Sequence, residues 1–443
     1  MAPGTTAADR RAARRPLSRD VRLFWWASAS DALGTQASGV VLPLLLLGLG
    51  HSAATVGLVA GVSTAAGLLL APLAAVPADR GARKPVMFWS ATVSALAMTG
   101  VTAAVATGEP PLALVLGAVL VERFSTAVYE AAAAGTVALI APPADCPRVV
   151  AGLSAGDQGA LILGPALGGA LYQVTRALPF LADAVSYAVA AGCVRALSSD
   201  LRPERRPDAG SVAGGPAEAV EATADAAVAA PAINPAPRPG PLRRMRDELG
   251  AGLALVRTSP FLRLVLTWTA TVNGVIVALY YGAVFTLQKG GHGGAPMGLV
   301  LALSGAAGLI GSLAAPRVVG RIGAARLLVT VSWLLVPLAA GLATADGPWT
   351  YGALFGVFCL LMPLVAVVLQ SRALRETPPS LQARTGAVLA SAVGGSAALA
   401  PVLAGVFVTR LGTAAPALVC AGLLTALAWR TTVVRSRLTE ATA

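Results

Sequence analysis

Charge is scarce in this chain. Charged residues make up 12% of its 443 residues, where a soluble protein carries roughly a quarter. Hydrophobic residues are 56% and the mean hydropathy is +0.72, so the chain is expected in a membrane. Its only lysines, Lys84 and Lys289, do not follow glycine, which excludes a Gly-Lys-Ser/Thr phosphate loop. Its only histidines, His51 and His292, are too far apart for the paired histidines of a zincin helix. The four cysteines, Cys146, Cys193, Cys359 and Cys420, are isolated and mostly sit in apolar runs, which suggests neither disulfides nor a metal site. An ion gradient or another polypeptide must then supply any energy. No metal and no cofactor are expected, a proton gradient being the energy source, and no enzyme activity.

The formal net charge of +12 raises the question of nucleic acid, but the placement of the cations answers it. Apolar runs fall at 22–49, 53–77, 85–107, 111–135, 149–173, 178–197, 260–287, 296–316, 326–345, 349–370, 385–409 and 413–430. Each is near the ~20 residues that cross a bilayer as a helix. With both termini on the cytoplasmic side, every Lys and Arg falls in a cytoplasmic segment except Arg123, Arg176, Lys289 and Arg410. That is the positive-inside distribution of a multi-pass protein and not a nucleic-acid-binding face.

The expected fold is therefore all-α, with twelve transmembrane helices in two pseudo-symmetric halves. Residues 1–21 form a basic tail, expected to be disordered and near anionic lipid, and 22–197 the first six-helix bundle. Residues 198–259 form a cytoplasmic linker, 260–430 the second bundle, and 431–443 a cytoplasmic tail. The linker is rich in Pro, Ala, Gly and acids through Gly240. Its end, 242–257, reads as an amphipathic interfacial helix, with Leu242, Met245, Leu249, Leu253 and Val256 at helical spacing.

Between the second and third runs, Asp79-Arg-Gly-Ala-Arg-Lys84 packs an acid, a turn and three cations into six positions. Such a basic turn suits the cytoplasmic face and anionic lipid heads; setting topology is the simplest role for it. The loop also resembles the signature between helices 2 and 3 of the major facilitator superfamily, Gly-x-x-x-Asp-Arg-x-Gly-Arg-Arg. Asp79, Arg80, Arg83 and Lys84 fill its charged positions, while Ala75 and Ala82 stand at its glycines. The resemblance implies that these four residues govern switching between inward- and outward-open states. In the second half, Pro316-Arg-Val-Val-Gly-Arg-Ile-Gly-Ala-Ala-Arg326 holds the equivalent place, with the cations kept and the acid lost.

Run 5 places Gly156, Ala160, Gly164 and Gly168 on one stripe, and run 11 repeats the device with Gly386, Ala390, Gly394 and Ala398. Small stripes let helix backbones approach, and that packing role is expected here. Gly164-Pro165-Ala-Leu-Gly168-Gly169 is also similar to the Gly-Pro-x-x-Gly-Gly element of the superfamily's drug/proton antiporters, which implies export.

Intramembrane charges cost at least ~2.5–3.5 kcal/mol each near the bilayer centre and are functional candidates. The first half has Asp31, Glu122, Arg123, Glu130, Asp157 and Asp183, while runs 8 to 12 have no charge in their interiors. A carboxyl in a dry, partly paired site can titrate near neutrality, as a proton carrier must. Asp31 and Glu122 are the expected carriers with Arg123 as modulating partner; a structural hydrogen bond is the alternative for Asp31. Arg123 also fits the arginine of the superfamily's Arg-x-x-Gln-Gly motif, although Thr126 and Ala127 replace Gln-Gly. For Glu130, Asp157 and Asp183, nearer helix ends, snorkelling or capping is expected. Asn273, Tyr280, Tyr281 and Phe285 in run 7, with Phe355 and Phe358 in run 10, are candidates to line a substrate cavity.

Three further stretches are similar to the macrolide-efflux and enterobactin-exporter-like branch: Ser30-Asp31-Ala-Leu-Gly, Pro179-Phe-Leu-Ala-Asp183, and the segment from Leu249 to Arg263. The resemblance implies a secondary transporter of the cell membrane, exporting a small, largely apolar molecule such as an antibiotic or secreted metabolite by proton antiport. Its expected partners are that small molecule and membrane lipids, with no nucleic acid, and the expected state is a monomer. A proton-coupled nutrient importer of the same fold, or a scaffold or sensor that no longer transports, are the alternatives.

Overall fold

Apolar runs of this length can satisfy their backbone N–H and C=O groups within a bilayer only as helices. A computed structural model of the chain describes residues 17–79, 83–108, 110–142, 144–199, 201, 250, 253–291, 294–345, 347–378 and 381–440, and twelve long helices dominate them. In chain order these are α1 (Arg19–Gly48), α2 (Ala53–Asp79), α3 (Arg83–Thr107), α4 (Leu112–Ala134), α5 (Cys146–Val174) and α6 (Leu178–Arg195). Then follow α7 (Pro260–Lys289), α8 (Gly294–Ile322), α9 (Ala324–Leu342), α10 (Pro348–Glu376), α11 (Gln382–Leu411) and α12 (Ala415–Glu440). Eleven are long and apolar enough to cross a membrane. The helix outside that set, α5, carries Ser154, Asp157, Gln158 and Gln173 among many Gly and Ala residues. Of the expected interfacial helix at 242–257, only 250 and 253–257 are described, and these are helical; the rest of the linker up to 249, apart from 198, 199 and 201, and residues 1–16 lie outside the described residues. Helix α12 runs on to Glu440, past the expected end of the last span at 430.

The two halves pack in the same pattern. In the first, α1 lies against α5 and α6, α3 against α4 and α6, and α2 against α4. In the second, α7 lies against α11 and α12, α9 against α10 and α12, and α8 against α10. The halves meet along two seams, α5 on α8 and α2 on α11, which exchange when the halves are exchanged. Each seam is built on a proline carbonyl facing a glycine. A Cβ on Gly298 of α8 would sit 2.3 Å from the Pro165 carbonyl oxygen of α5, and one on Gly57 of α2 would sit 2.2 Å from that of Pro401 of α11. Both contacts lie in the early turns of α2 and α8, at the end of the bundle opposite the chain termini. Leu161–Gly305 and Leu68–Gly394 carry the seams toward the middle.

The cores of the halves differ. One continuous cluster fills the second, around Trp268, Leu279, Leu335, Phe358 and Leu369, and reaches into the first half at Val40, Leu44, Val56, Val59, Val115 and Val119. The first half has one cluster near the terminus-bearing end (Phe24, Met87, Tyr129, Val149, Val194) and another farther in (Val41, Leu45, Met98, Phe180). Buried polar side chains fill the layer between them. Outside, Leu69, Trp89, Leu96, Leu163, Leu313 and Trp429 are highly exposed, an apolar belt suited to lipid chains.

Candidate functional site: a polar layer and two cavities

Three helices supply the polar layer, each with a carboxylate followed four residues on by a hydroxyl. These pairs are Asp31 and Thr35 on α1, Glu122 and Thr126 on α4, and Asp183 and Tyr187 on α6. Residues four apart share a helix face, so each pair points into the same layer. Glu122, 5% exposed, is the hub. Its Oε1 accepts from the Tyr187 hydroxyl at 2.6 Å and from Thr126 Oγ1 at 3.0 Å, and its Oε2 lies 3.7 Å from Arg123 Nε. Since the Tyr187 proton goes to Glu122, Thr35 Oγ1 donates to Tyr187 at 3.0 Å. One network therefore ties α1, α4 and α6 together. Among the described residues, each hydrogen-bond or ion-pair partner of Glu122 is a donor.

Asp183, 1% exposed, sits well inside α6 and is enclosed, so it neither snorkels nor caps as expected. Its neighbour Ser186 donates to the Asp183 carbonyl oxygen at 2.7 Å. Gly34 on α1 makes room for it: a Cβ there would lie 2.6 Å from Asp183 Oδ1. Asp31 belongs to a different environment. It lines a cavity of about 650 Å³ with Thr35, Gln36, Arg123, Tyr129, Glu130 and Asp157. Glu130 and Asp157 are exposed, and Arg123 is partly so.

A second cavity, about 520 Å³, lies between the halves and shares Gln36 with the first. Its wall is mostly apolar: Val40, Leu161 and Pro165 from the first half, Ile276, Tyr280, Leu301, Phe355 and Met362 from the second. Of the expected cavity residues, Tyr280 and Phe355 therefore line it. Phe358 does not, being wholly buried in the core of the second half. Tyr281 stands within electrostatic reach of Arg123, and Phe285 is 3% exposed and packs on its ring. Asn273 lines neither cavity; its Oδ1 is enclosed with no hydrogen-bond partner among the described residues.

The antiporter-like element of α5 divides its faces. Gly164 and Gly168 meet α1, where Cβ atoms would lie 2.5 Å from Gln36 Cβ and 2.2 Å from the Ala37 carbonyl oxygen. Pro165 and Gly169 meet α8, the latter 2.4 Å from the Gly294 carbonyl oxygen by the same measure. In the loop after α2, Arg80 and the side chain of Asp79 lie outside the described residues. Arg83 Nη1 donates to the Gly135 carbonyl at 2.7 Å and Lys84 Nζ to that of Leu197 at 2.5 Å. Both cations thus bind the carbonyl ends of other helices, α4 and α6, where the helix dipole favours positive charge.

A family model described as Major Facilitator Superfamily matches residues 24–395. No curated protein matches the sequence. Among solved structures, the chain is similar to the nucleoside transporter NupG at 14% identity and a TM-score of 0.65, over 94% of this chain and 99% of that one. It is similar to a bacterial homologue of the iron transporter ferroportin in an inward-facing state at 13% identity and a TM-score of 0.63, over 94% and 100%. The human organic anion transporter MFSD10 (TETRAN) is similar at 19% identity and a TM-score of 0.57, again over 94% and 100%. At these identities the likeness shows the fold, and the cargoes of the three proteins differ from one another.

Proposed function

The chain belongs to the major facilitator superfamily, a family of membrane transporters, and from that premise we propose that it exports small, largely apolar molecules across the cell membrane in exchange for protons. The carrying observation is the contrast between Glu122, held by the Tyr187 and Thr126 hydroxyls and paired with Arg123, and Asp31, which faces the cavity. Glu122 is the fixed counter-charge that holds Arg123 and ties α1, α4 and α6. Asp31 is the exchanging group, reached from the cavity, and its proton alters the charge facing Arg123. Asp31 with and without its proton then biases the open states differently, as coupling requires.

The cavity supports alternating access. The seams close at the end opposite the termini, while Glu130 and Asp157 are exposed toward the terminus-bearing end. If the termini are cytoplasmic, as the distribution of Lys and Arg favours, this is an inward-open form awaiting an outgoing substrate. The Gly-Pro element of α5 supports export through its resemblance to that of drug/proton antiporters, and its close contacts with α1 and α8 suit a hinge between the states. Arg83 and Lys84 hold the ends of α4 and α6, which supports a role for them in state switching. Proteoliposomes with an internal pH dye test the reading. An imposed proton gradient should drive substrate uphill with counter-movement of protons, and Asp31→Asn should abolish the uphill flux even at substrate concentrations that saturate binding. Uphill flux at the full rate in Asp31→Asn would refute the assignment.

A further inference from the structure

Among the described residues Arg123 is the only cation in the wall of the acidic cavity, and Glu122 already engages it. The cavity's own carboxylates, Asp31, Glu130 and Asp157, make no ion pair with a described residue. They come from three helices, α1, α4 and α5, so helix packing gathers them. A second observation points to a ligand. Tyr129, 4% exposed, lines the same cavity, and its hydroxyl is enclosed with no partner among the described residues. A phenolic oxygen accepts hydrogen bonds from N–H groups, and its ring face attracts cations. The apolar cavity between the halves begins at the shared Gln36, and Gln158, next to Asp157, lines it as well.

We infer that the cargo is an amphiphilic organic cation, with its nitrogen or onium head among Asp31, Glu130 and Asp157 beside Tyr129 and its apolar body past Gln36 against Leu161, Ile276, Tyr280 and Phe355. The inference deepens the transport reading and rests on it. A low-dielectric cleft lined by one sign of charge concentrates ligands of the other and rejects its own. Proton and cation head compete for the same carboxylates, so loading one releases the other. The groups that face Asp31 in this competition are Glu122, Arg123, Tyr129 and Glu130 of α4, Asp157 of α5, and Asp183 and Tyr187 of α6.

Tetraphenylphosphonium and tetraphenylborate, alike in shape and opposite in charge, provide the test. Equilibrium dialysis against the full-length protein in lipid nanodiscs, with empty nanodiscs as blank, should show saturable binding of the cation and none of the anion. In the Asp31→Asn, Asp157→Asn double variant the affinity should fall about tenfold or more. Asp157→Glu keeps the charge and should retain binding, which separates loss of charge from loss of fold. Absence of cation binding, equal binding of both ions, or unchanged affinity in the double variant would overturn the inference. Dialysis uses no gradient, so these failures leave proton-driven export standing. A protein that binds tetraphenylphosphonium but moves nothing under a pH gradient would contradict the export reading instead.

Discussion

Tyr187 shows what a single side chain does here. Its hydroxyl donates to Glu122 and accepts from Thr35, so Tyr187→Phe removes a bond to a buried carboxylate and orphans a second hydroxyl. A hydrogen bond to a charged group contributes about 1.5–3 kcal/mol. The variant should melt at a lower temperature in detergent, and Glu122→Gln should recover part of that loss in the double mutant, because a neutral amide needs the donor less. Additive losses would show that the two side chains are not coupled. Asp31, Glu122 and Arg123 were legible in the sequence because they interrupt apolar runs, whereas Asp183 was visible but expected to snorkel or cap, and it is buried in the layer. The hydroxyls were not legible. Many Ser and Thr in these helices bond a carbonyl of their own helix, as Thr102 does to Met98 and Ser332 to Leu328. Residue type alone cannot separate those from Thr35 or Thr126, although the spacing of four from each carboxylate was available as a signal.

At the scale of the helix, the small stripe of α5 was readable, but its partners were not. Periodicity places residues on one face without saying which neighbour that face meets. The structure sends Gly164 and Gly168 to α1 and gives Gly169 and Pro165 to the seam with α8. Gly168→Leu should therefore abolish transport and lower stability, since overpacking against backbone costs typically 1–3 kcal/mol and here no flexible side chain can give way. Gly117→Leu meets open space within 4 Å and should be tolerated. Expression, melting temperature and flux measured on both variants check this, and equal damage at both positions would remove the argument. The stretch 79–84 read as a cluster of charge in the sequence; the attachment of Arg83 and Lys84, at the start of α3, to the ends of α4 and α6 depends on tertiary packing. Arg83→Gln should leave insertion intact but slow transport, because the carbonyl of Gly135 loses its cation. Undiminished transport at normal expression would mean that the loop serves topology alone.

For the whole molecule, the two-fold organisation was plain in the chain: six apolar runs, a linker, six more, with Pro165 and Pro401 in equivalent places. Packing repeats it helix for helix, and the two seams repeat it again. The asymmetry of charge was legible too, and its physical form is an apolar core split by a polar layer in one half and continuous in the other. Where the molecule opens was not legible, because that depends on how one half is set against the other. The account's central claim is that Asp31 exchanges a proton for cargo in a cavity that opens to alternate sides. Its most direct test is proton movement recorded by an internal pH dye when cargo is added to proteoliposomes with no imposed gradient. The wild type should show proton movement opposite to the cargo and proportional to it, and Asp31→Asn should give no proton signal even at cargo concentrations high enough to saturate its weakened binding. Cargo-driven proton movement of equal size in Asp31→Asn would contradict the account.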